Sequence, residues 1–68
     1  MSKVMAFTVF CMENYKQAKR LNGKQVDSLF RQYDVYDYLH EFYDVLHTTG
    51  HQYLVRDIDH YIAARNTA

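Results

Sequence analysis

Apolar residues recur at spacings of three and four along nearly the whole chain, the pattern of helices that bury one face. In the first segment, about 3–20, Val4, Phe7, Cys11, Tyr15 and Ala18 share one stripe. Met5, Val9 and Met12, with Ala6 and Phe10 beside them, form a second apolar stripe on the other side of the same helix. One small bundle does not need both, so the second stripe is a candidate self-association seam built from Met5, Val9, Phe10 and Met12. The pattern breaks at Leu21 to Gly23. There Asn22 and Gln25 read as a capping box, with Leu21 and Val26 in the positions of a hydrophobic staple.

The segment 23–33 carries Val26, Leu29, Phe30 and Tyr33 on one face. Asp34 reads as the next N-cap between Tyr33 and Tyr38, which predicts a tight corner into a third helix over 35–47. At 100° per residue, Val35, Tyr38, Leu39, Phe42, Tyr43, Val45 and Leu46 fill an arc of about 160°, so this helix should be packed on two sides. Thr48 to Gly50 ends it, with either a left-handed Gly50 or a Thr49–Gln52 capping box. A last helix over 52–65 sets Leu54, Val55, Ile58, Tyr61 and Ile62 against Arg56, Asp59 and His60, and residues 66–68 should fray. The chain thus reads as all-α: one domain over 1–68, a compact bundle of three to four helices.

Composition narrows the function classes. A chain of 68 residues buries only about 60% of its extended surface, enough for one thin core. A ligand cleft of roughly 300 Å³ or more is hard to accommodate in such a domain, which argues against an enzyme. A single cysteine excludes an internal disulfide and a cysteine-rich zinc knuckle, and points to a reducing compartment. The apolar run Val4 to Met12 is too short to span a bilayer. It has the length of a signal-peptide core, but Glu13, Asn14, Tyr15 and Lys16 follow where small residues should mark cleavage, so the expected location is cytoplasmic.

Eight basic and eight acidic side chains cancel, but unevenly along the chain. Residues 1–31 hold six basic and two acidic groups, and residues 32–68 hold two basic and six acidic. The halves can neutralise each other on folding, the reading favoured here, or an exposed acidic face can steer a basic partner. Asp37, Glu41 and Asp44 form an acidic stripe opposite the apolar arc of the third helix, which opposes its entry into a DNA groove as a recognition helix. Lys16, Lys19, Arg20 and Lys24 form a basic cluster able to touch a phosphate backbone. It lacks interleaved aromatics and reads first as a solvated helix end.

Asp37–His40, Asp44–His47 and Asp57–His60 repeat a D-x-x-H spacing from which bundles build di-metal sites. Asp37, Asp44 and His60 fall on outward faces, so surface ion pairing is the simpler reading, and neither a metal site nor a cofactor is expected. Tyr36, His40, Tyr43 and His47 recur as an aromatic and imidazole ridge suited to a core margin or a binding hot spot. No catalytic triad or phosphate-binding loop is present, and Cys11 should be a buried, inert thiol.

Several blocks resemble a small bacterial family known only as a domain of unknown function: Phe10-Cys11-Met12-Glu13-Asn14-Tyr15-Lys16, Gly23-Lys24 leading to Leu29-Phe30, Tyr43-Asp44-Val45-Leu46-His47-Thr48-Thr49-Gly50, and Asp57-Ile58-Asp59 with Tyr61-Ile62. The resemblance implies a compact helical protein encoded beside an ADP-ribosyltransferase-like protein, in an arrangement similar to toxin and antitoxin pairs. It carries no catalytic residues. The expected function is a non-enzymatic protein-interaction module, and the resemblance implies the antitoxin-like partner of such a toxin. Tyr36, Asp37, His40, Glu41, Tyr43, Asp44 and His47 would touch the partner. The alternative is a small nucleic-acid-binding regulator using the basic cluster of residues 16–24.

Overall fold

The computed structural model describes residues 2–66, the side chain of His51 excepted. Among the described residues five helices follow one another: α1 (Lys3–Lys19), α2 (Gly23–Gln32), α3 (Val35–Glu41), α4 (Tyr43–Leu46) and α5 (His51–Asn66). There is no strand among the described residues.

The Ser2 hydroxyl accepts the Met5 N–H at 3.0 Å and caps α1. At its other end Arg20 is left-handed, with φ 55° and ψ 45°. The Arg20 N–H donates to the Gln17 carbonyl at 3.4 Å and the Leu21 N–H to that of Lys16 at 3.0 Å, the paired bonds of a Schellman termination. The chain break lies one residue earlier than the sequence pattern places it, and it uses no glycine. The capping box is present as expected: Asn22 Oδ1 accepts the Gln25 N–H at 2.8 Å, and Gln25 Oε1 accepts the Asn22 N–H at 2.9 Å.

Two expectations fail at the corners. Asp34 does not cap α3 with its side chain. It is left-handed, with φ 57°; its carboxylate pairs with Arg65 and its carbonyl accepts the Tyr38 N–H and the Tyr61 hydroxyl. Nor is 35–47 one helix. At Phe42 the backbone departs to φ −105°, and the Phe42 carbonyl takes the Val45 and Leu46 N–H groups to start α4. A straight helix would carry Phe42 to the same side as Val35 and Leu39. Instead Phe42 is 45% exposed and lies against the Tyr38 ring, Val45 is 66% exposed, and Leu46 is the residue that reaches the core. Both threonine hydroxyls then turn back to the Val45 carbonyl. Gly50 is not left-handed; its carbonyl accepts the Tyr53 N–H at the start of α5. Asn66 is still helical and accepts the Tyr33 hydroxyl at 3.1 Å, whereas 67 and 68 lie outside the described residues.

Every helix contributes to one core: Cys11 and Tyr15, Val26 and Phe30, Val35 and Leu39, Leu46, Leu54 and Ile58. Phe30 occupies its centre, meeting Tyr15 and Tyr36 edge-on at 5.4 and 5.6 Å. On α1 the buried line is rotated from the expected stripe, since Ala18 is exposed and Thr8 is buried. Thr8 tolerates burial because its hydroxyl donates to the Val4 carbonyl at 2.8 Å. No helix among the described residues is long and apolar enough to cross a membrane.

Candidate interaction surface

The short turn from α1 to α2 and the corner at Asp34 bring three helices around one groove. Met5, Thr8, Val9 and Met12 of α1 form its floor and one side, Asp27 and Arg31 of α2 a second, and Tyr36 and His40 of α3 a third; they enclose about 380 Å³. A concavity of this size exceeds what the chain length suggests. Met5 and Val9 stay 47% and 42% exposed, so this apolar stretch is left uncovered by the fold.

The polar side of the groove is a closed network. The Tyr36 hydroxyl donates to Asp27 Oδ1 at 2.6 Å and sits 3.6 Å from Met12 Sδ, while Arg31 Nε donates to Asp27 Oδ2 at 3.0 Å. Burial, followed by the hydrogen bond and charge of Asp27, pushes the Tyr36 phenol up to about 12. The same hydrogen bond, aided by Arg31, holds the Asp27 carboxyl below its usual range. Asp27 is therefore a satisfied anion and Tyr36 a fixed neutral donor. Neither is poised as an acid or a base near neutral pH, and the arrangement offers a shaped surface rather than reactive groups.

The groove draws residues from both expected sites. Met5, Val9 and Met12 come from the seam, and Tyr36 and His40 from the aromatic ridge. Phe10 does not belong with them: it lies more than 90° around α1 and packs partly buried against the core. The ridge itself is divided by the break at Phe42. Tyr43 packs edge-on to Phe7 at 5.4 Å and stacks on His47 at 4.3 Å, and the His47 Nδ1 lies 2.6 Å from the Tyr43 carbonyl. Phe7 and Met12 lie on opposite flanks of α1, so Tyr43 and His47 are separated from Tyr36 and His40 by that helix. Asp37, Glu41 and Asp44 are exposed, as the stripe requires.

Thr8, Asp27 and Arg31 are groove residues that periodicity does not select. The usable signal is the Asp27–Arg31 spacing of four on one helix, which pairs acid and base. Phe42, Val45 and Tyr53 are exposed apolar residues outside the expected sites. A second, shallower and more polar depression of about 510 Å³ lies between α1 and α5, at Asn14, Gln17, Ala18, Gln52 and Val55.

The basic cluster is partly neutralised. Lys16 pairs with Glu13, and Lys19 pairs with Asp59, which also accepts the Tyr15 hydroxyl at 2.7 Å. Arg20 and Lys24 remain exposed. Among the described residues no group of three or more His, Cys, Asp or Glu side chains is placed to hold a metal ion. Cys11 is buried, and burial pushes its thiol up to about 12, which suppresses the reactive thiolate.

No curated protein and no solved structure matches the chain. One family model does, described as a protein of unknown function, and it covers residues 6–65, from the first turn of α1 to the last turn of α5. The core, the corner at Asp34 and every groove residue but Met5 fall within that match, and the chain belongs to the DUF3791 family.

Proposed function

We propose that this chain is a non-enzymatic protein-interaction module that holds a partner protein on the face made by α1, α2 and α3. The observation that carries this reading is the uncovered apolar floor, Met5 and Val9 beside Met12, inside a concavity where Asp27 and Tyr36 are already hydrogen-bonded to each other. A chain this small has little apolar surface to spare from its core. Leaving Met5 and Val9 half in water is therefore best accounted for by a second molecule that covers them. Asp37, Glu41 and Asp44 are exposed and stand outside the groove lining, and on this reading their carboxylates supply acidic surface that suits basic groups of the partner.

The family resemblance names the first partner to test: an ADP-ribosyltransferase-like toxin, with this chain as its antitoxin-like, cytoplasmic counterpart. The tagged chain is co-expressed with the product of the adjacent gene and recovered at moderate salt. Val9→Glu, which puts a charge on the groove floor without touching the core, should abolish recovery of the complex. Reversing Asp37, Glu41 and Asp44 to lysine should weaken it and make it less salt-dependent. Unchanged binding in all of these variants would remove the assignment.

A further inference from the structure

We infer that Asn22–Gly23 is a modification site: the Gly23 amide and then water convert Asn22 to aspartate and isoaspartate with loss of ammonia, at a rate gated by the capping box of α2.

The sequence supplies the chemistry. Of Asn14, Asn22 and Asn66, only Asn22 precedes a glycine. Deamidation begins when the amide nitrogen of the following residue attacks the asparagine carboxamide carbon, and a β-carbon on that residue hinders the approach. Gly23 has none, and a β-carbon built there would meet nothing within 4 Å, so the space around this nitrogen is open. Asn22 and Gly23 are both exposed, which gives water and hydroxide access. As the first residue of α2, Gly23 has no acceptor within the helix for its N–H. The positive end of the helix dipole and the exposed cations Arg20 and Lys24, close on either side in the chain, favour loss of that proton. The nitrogen then bonds to Asn22 Cγ, and Nδ2 leaves as ammonia with the proton the amide gave up. Water opens the resulting succinimide: cleavage at Cγ leaves aspartate, and cleavage at the main-chain carbonyl leaves isoaspartate. No oxidant or cofactor takes part.

The fold supplies the gate. Ring closure needs the Gly23 nitrogen eclipsed with the Asn22 β-carbon, and the Asn22 ψ of 171° holds the two staggered. The carboxamide is held as well: its Oδ1 accepts the Gln25 N–H at 2.8 Å, while Gln25 Oε1 accepts the Asn22 N–H at 2.9 Å. Attack therefore proceeds from the fraction of molecules in which the box is open, a local opening at a helix end. The two products then differ in what they do to α2. Aspartate keeps the cap oxygen and adds a negative charge at the helix N-terminus, where it is favourable. Isoaspartate puts an extra methylene into the main chain and turns the former main-chain carbonyl into a free carboxylate. That carbonyl accepts the Val26 N–H at 3.1 Å, so the first turn loses the register of both its bonds next to the fully buried Val26.

The full chain is incubated at neutral and mildly alkaline pH, folded and in urea, and residue 22 is followed by peptide mapping that separates aspartate from isoaspartate. Asn14 is the internal reference, since Tyr15 follows it and the Phe10 carbonyl holds its Nδ2 at 2.7 Å. In the folded chain Asn22 should be consumed about tenfold faster than Asn14, and the rate should rise in proportion to hydroxide. Gly23→Ala should slow the loss about tenfold. Gln25→Ala removes half of the box and should speed it about threefold. In urea, wild type and Gln25→Ala should react at one common, faster rate, because no box remains. The separated isoaspartate form should melt below the starting chain and the aspartate form at or above it. Loss at Asn22 no faster than at Asn14, or unchanged by Gly23→Ala, overturns the site. Equal rates for the folded and unfolded chain, or a folded Gln25→Ala chain that reacts like wild type, overturn the gate.

Discussion

Arg20→Gly should stabilise the protein, and the size of the effect follows from its backbone. Arg20 holds φ 55° and ψ 45° at the end of α1, where its β-carbon crowds the following carbonyl. For an L-residue this conformation costs roughly 1–2 kcal/mol. Glycine removes that cost but adds about 0.5–1 kcal/mol of unfolded-chain entropy, so the net gain is about 0.5–1 kcal/mol. In a domain of this length that raises the melting temperature by roughly 3–6 °C. The side chain is exposed, so little packing is lost. Arg20→Ala is the control, since it keeps the β-carbon and should leave the melting point unchanged.

Gly23 offers the opposite test. It opens α2, is not left-handed, and a β-carbon there would meet nothing within 4 Å. Gly23→Ala should therefore stabilise by about 0.4–1 kcal/mol, chiefly by restricting the unfolded chain. Moving the glycine from position 23 to position 20 combines the two gains. The assay is thermal melting by circular dichroism, with urea midpoints as a second measure. A melting point for Arg20→Gly at or below that of Arg20→Ala would falsify the strain argument.

Two further outcomes test the packing. Tyr15→Phe should cost about 1–2 kcal/mol in urea unfolding, because Asp59 keeps Lys19 and solvent; Asp59→Ala should cost more, about 2–3 kcal/mol, because it leaves the hydroxyl of a buried tyrosine without its acceptor and also breaks the Lys19 pair. In alkali, folding holds the Tyr36 phenol neutral, from 10.0 to about 12, so its contribution is complete below about pH 10 and is lost as pH rises toward 12. Helix content should fall over that range, and Tyr36→Phe should flatten the loss; a Tyr36→Phe profile identical to wild type would show that this phenol is not linked to folding.

The capping box at Asn22 and Gln25 was legible because it is local: both partners lie within one turn, and nothing distant has to be right for it to form. The core positions of α2 and α5 were legible for a similar reason, since Val26, Phe30, Leu54 and Ile58 keep one helical phase from end to end. Arg20 and Asp34 were not. Each adopts a left-handed backbone that composition assigns to glycine or asparagine, and each is held there by contacts made elsewhere. Leu21 packs on the core just beyond Arg20, and Arg65 and Tyr61 of α5 hold Asp34. The break at Phe42 belongs with them. A helical wheel extrapolates a straight axis, so it put Phe42 inward and joined Tyr36, His40, Tyr43 and His47 into one ridge. Once the axis bends to lower Leu46 into the core, the first pair stays with Met12 and the second goes to Phe7. The surplus stripe of α1 was readable, but the groove above it depends on the corner angle, which no spacing encodes.

The charge asymmetry can now be weighed against the ion pairs. If the two halves neutralised each other, the acids of residues 32–68 would pair with the bases of residues 1–31. Lys19–Asp59 does so. Glu13–Lys16 and Asp27–Arg31 close within the first half, and Asp34–Arg65 closes within the second. Asp37, Glu41 and Asp44 take part in none of the ion pairs among the described residues, and neither do Arg20 and Lys24. Folding therefore leaves most of the acidic excess on the surface, contrary to the reading favoured from the sequence. Exposed pairs contribute only about 0–1 kcal/mol each, so fold stability gives little reason to keep three carboxylates together on α3 and α4. Clustered like charges repel, and what they gain from grouping is a field that steers an oppositely charged molecule. The arrangement that weakens self-neutralisation thus strengthens the proposal of an external partner, and it separates the two roles: Asp59 and Asp34 tie helices together, while Asp37 and Glu41 stay exposed with no ion-pair partner among the described residues.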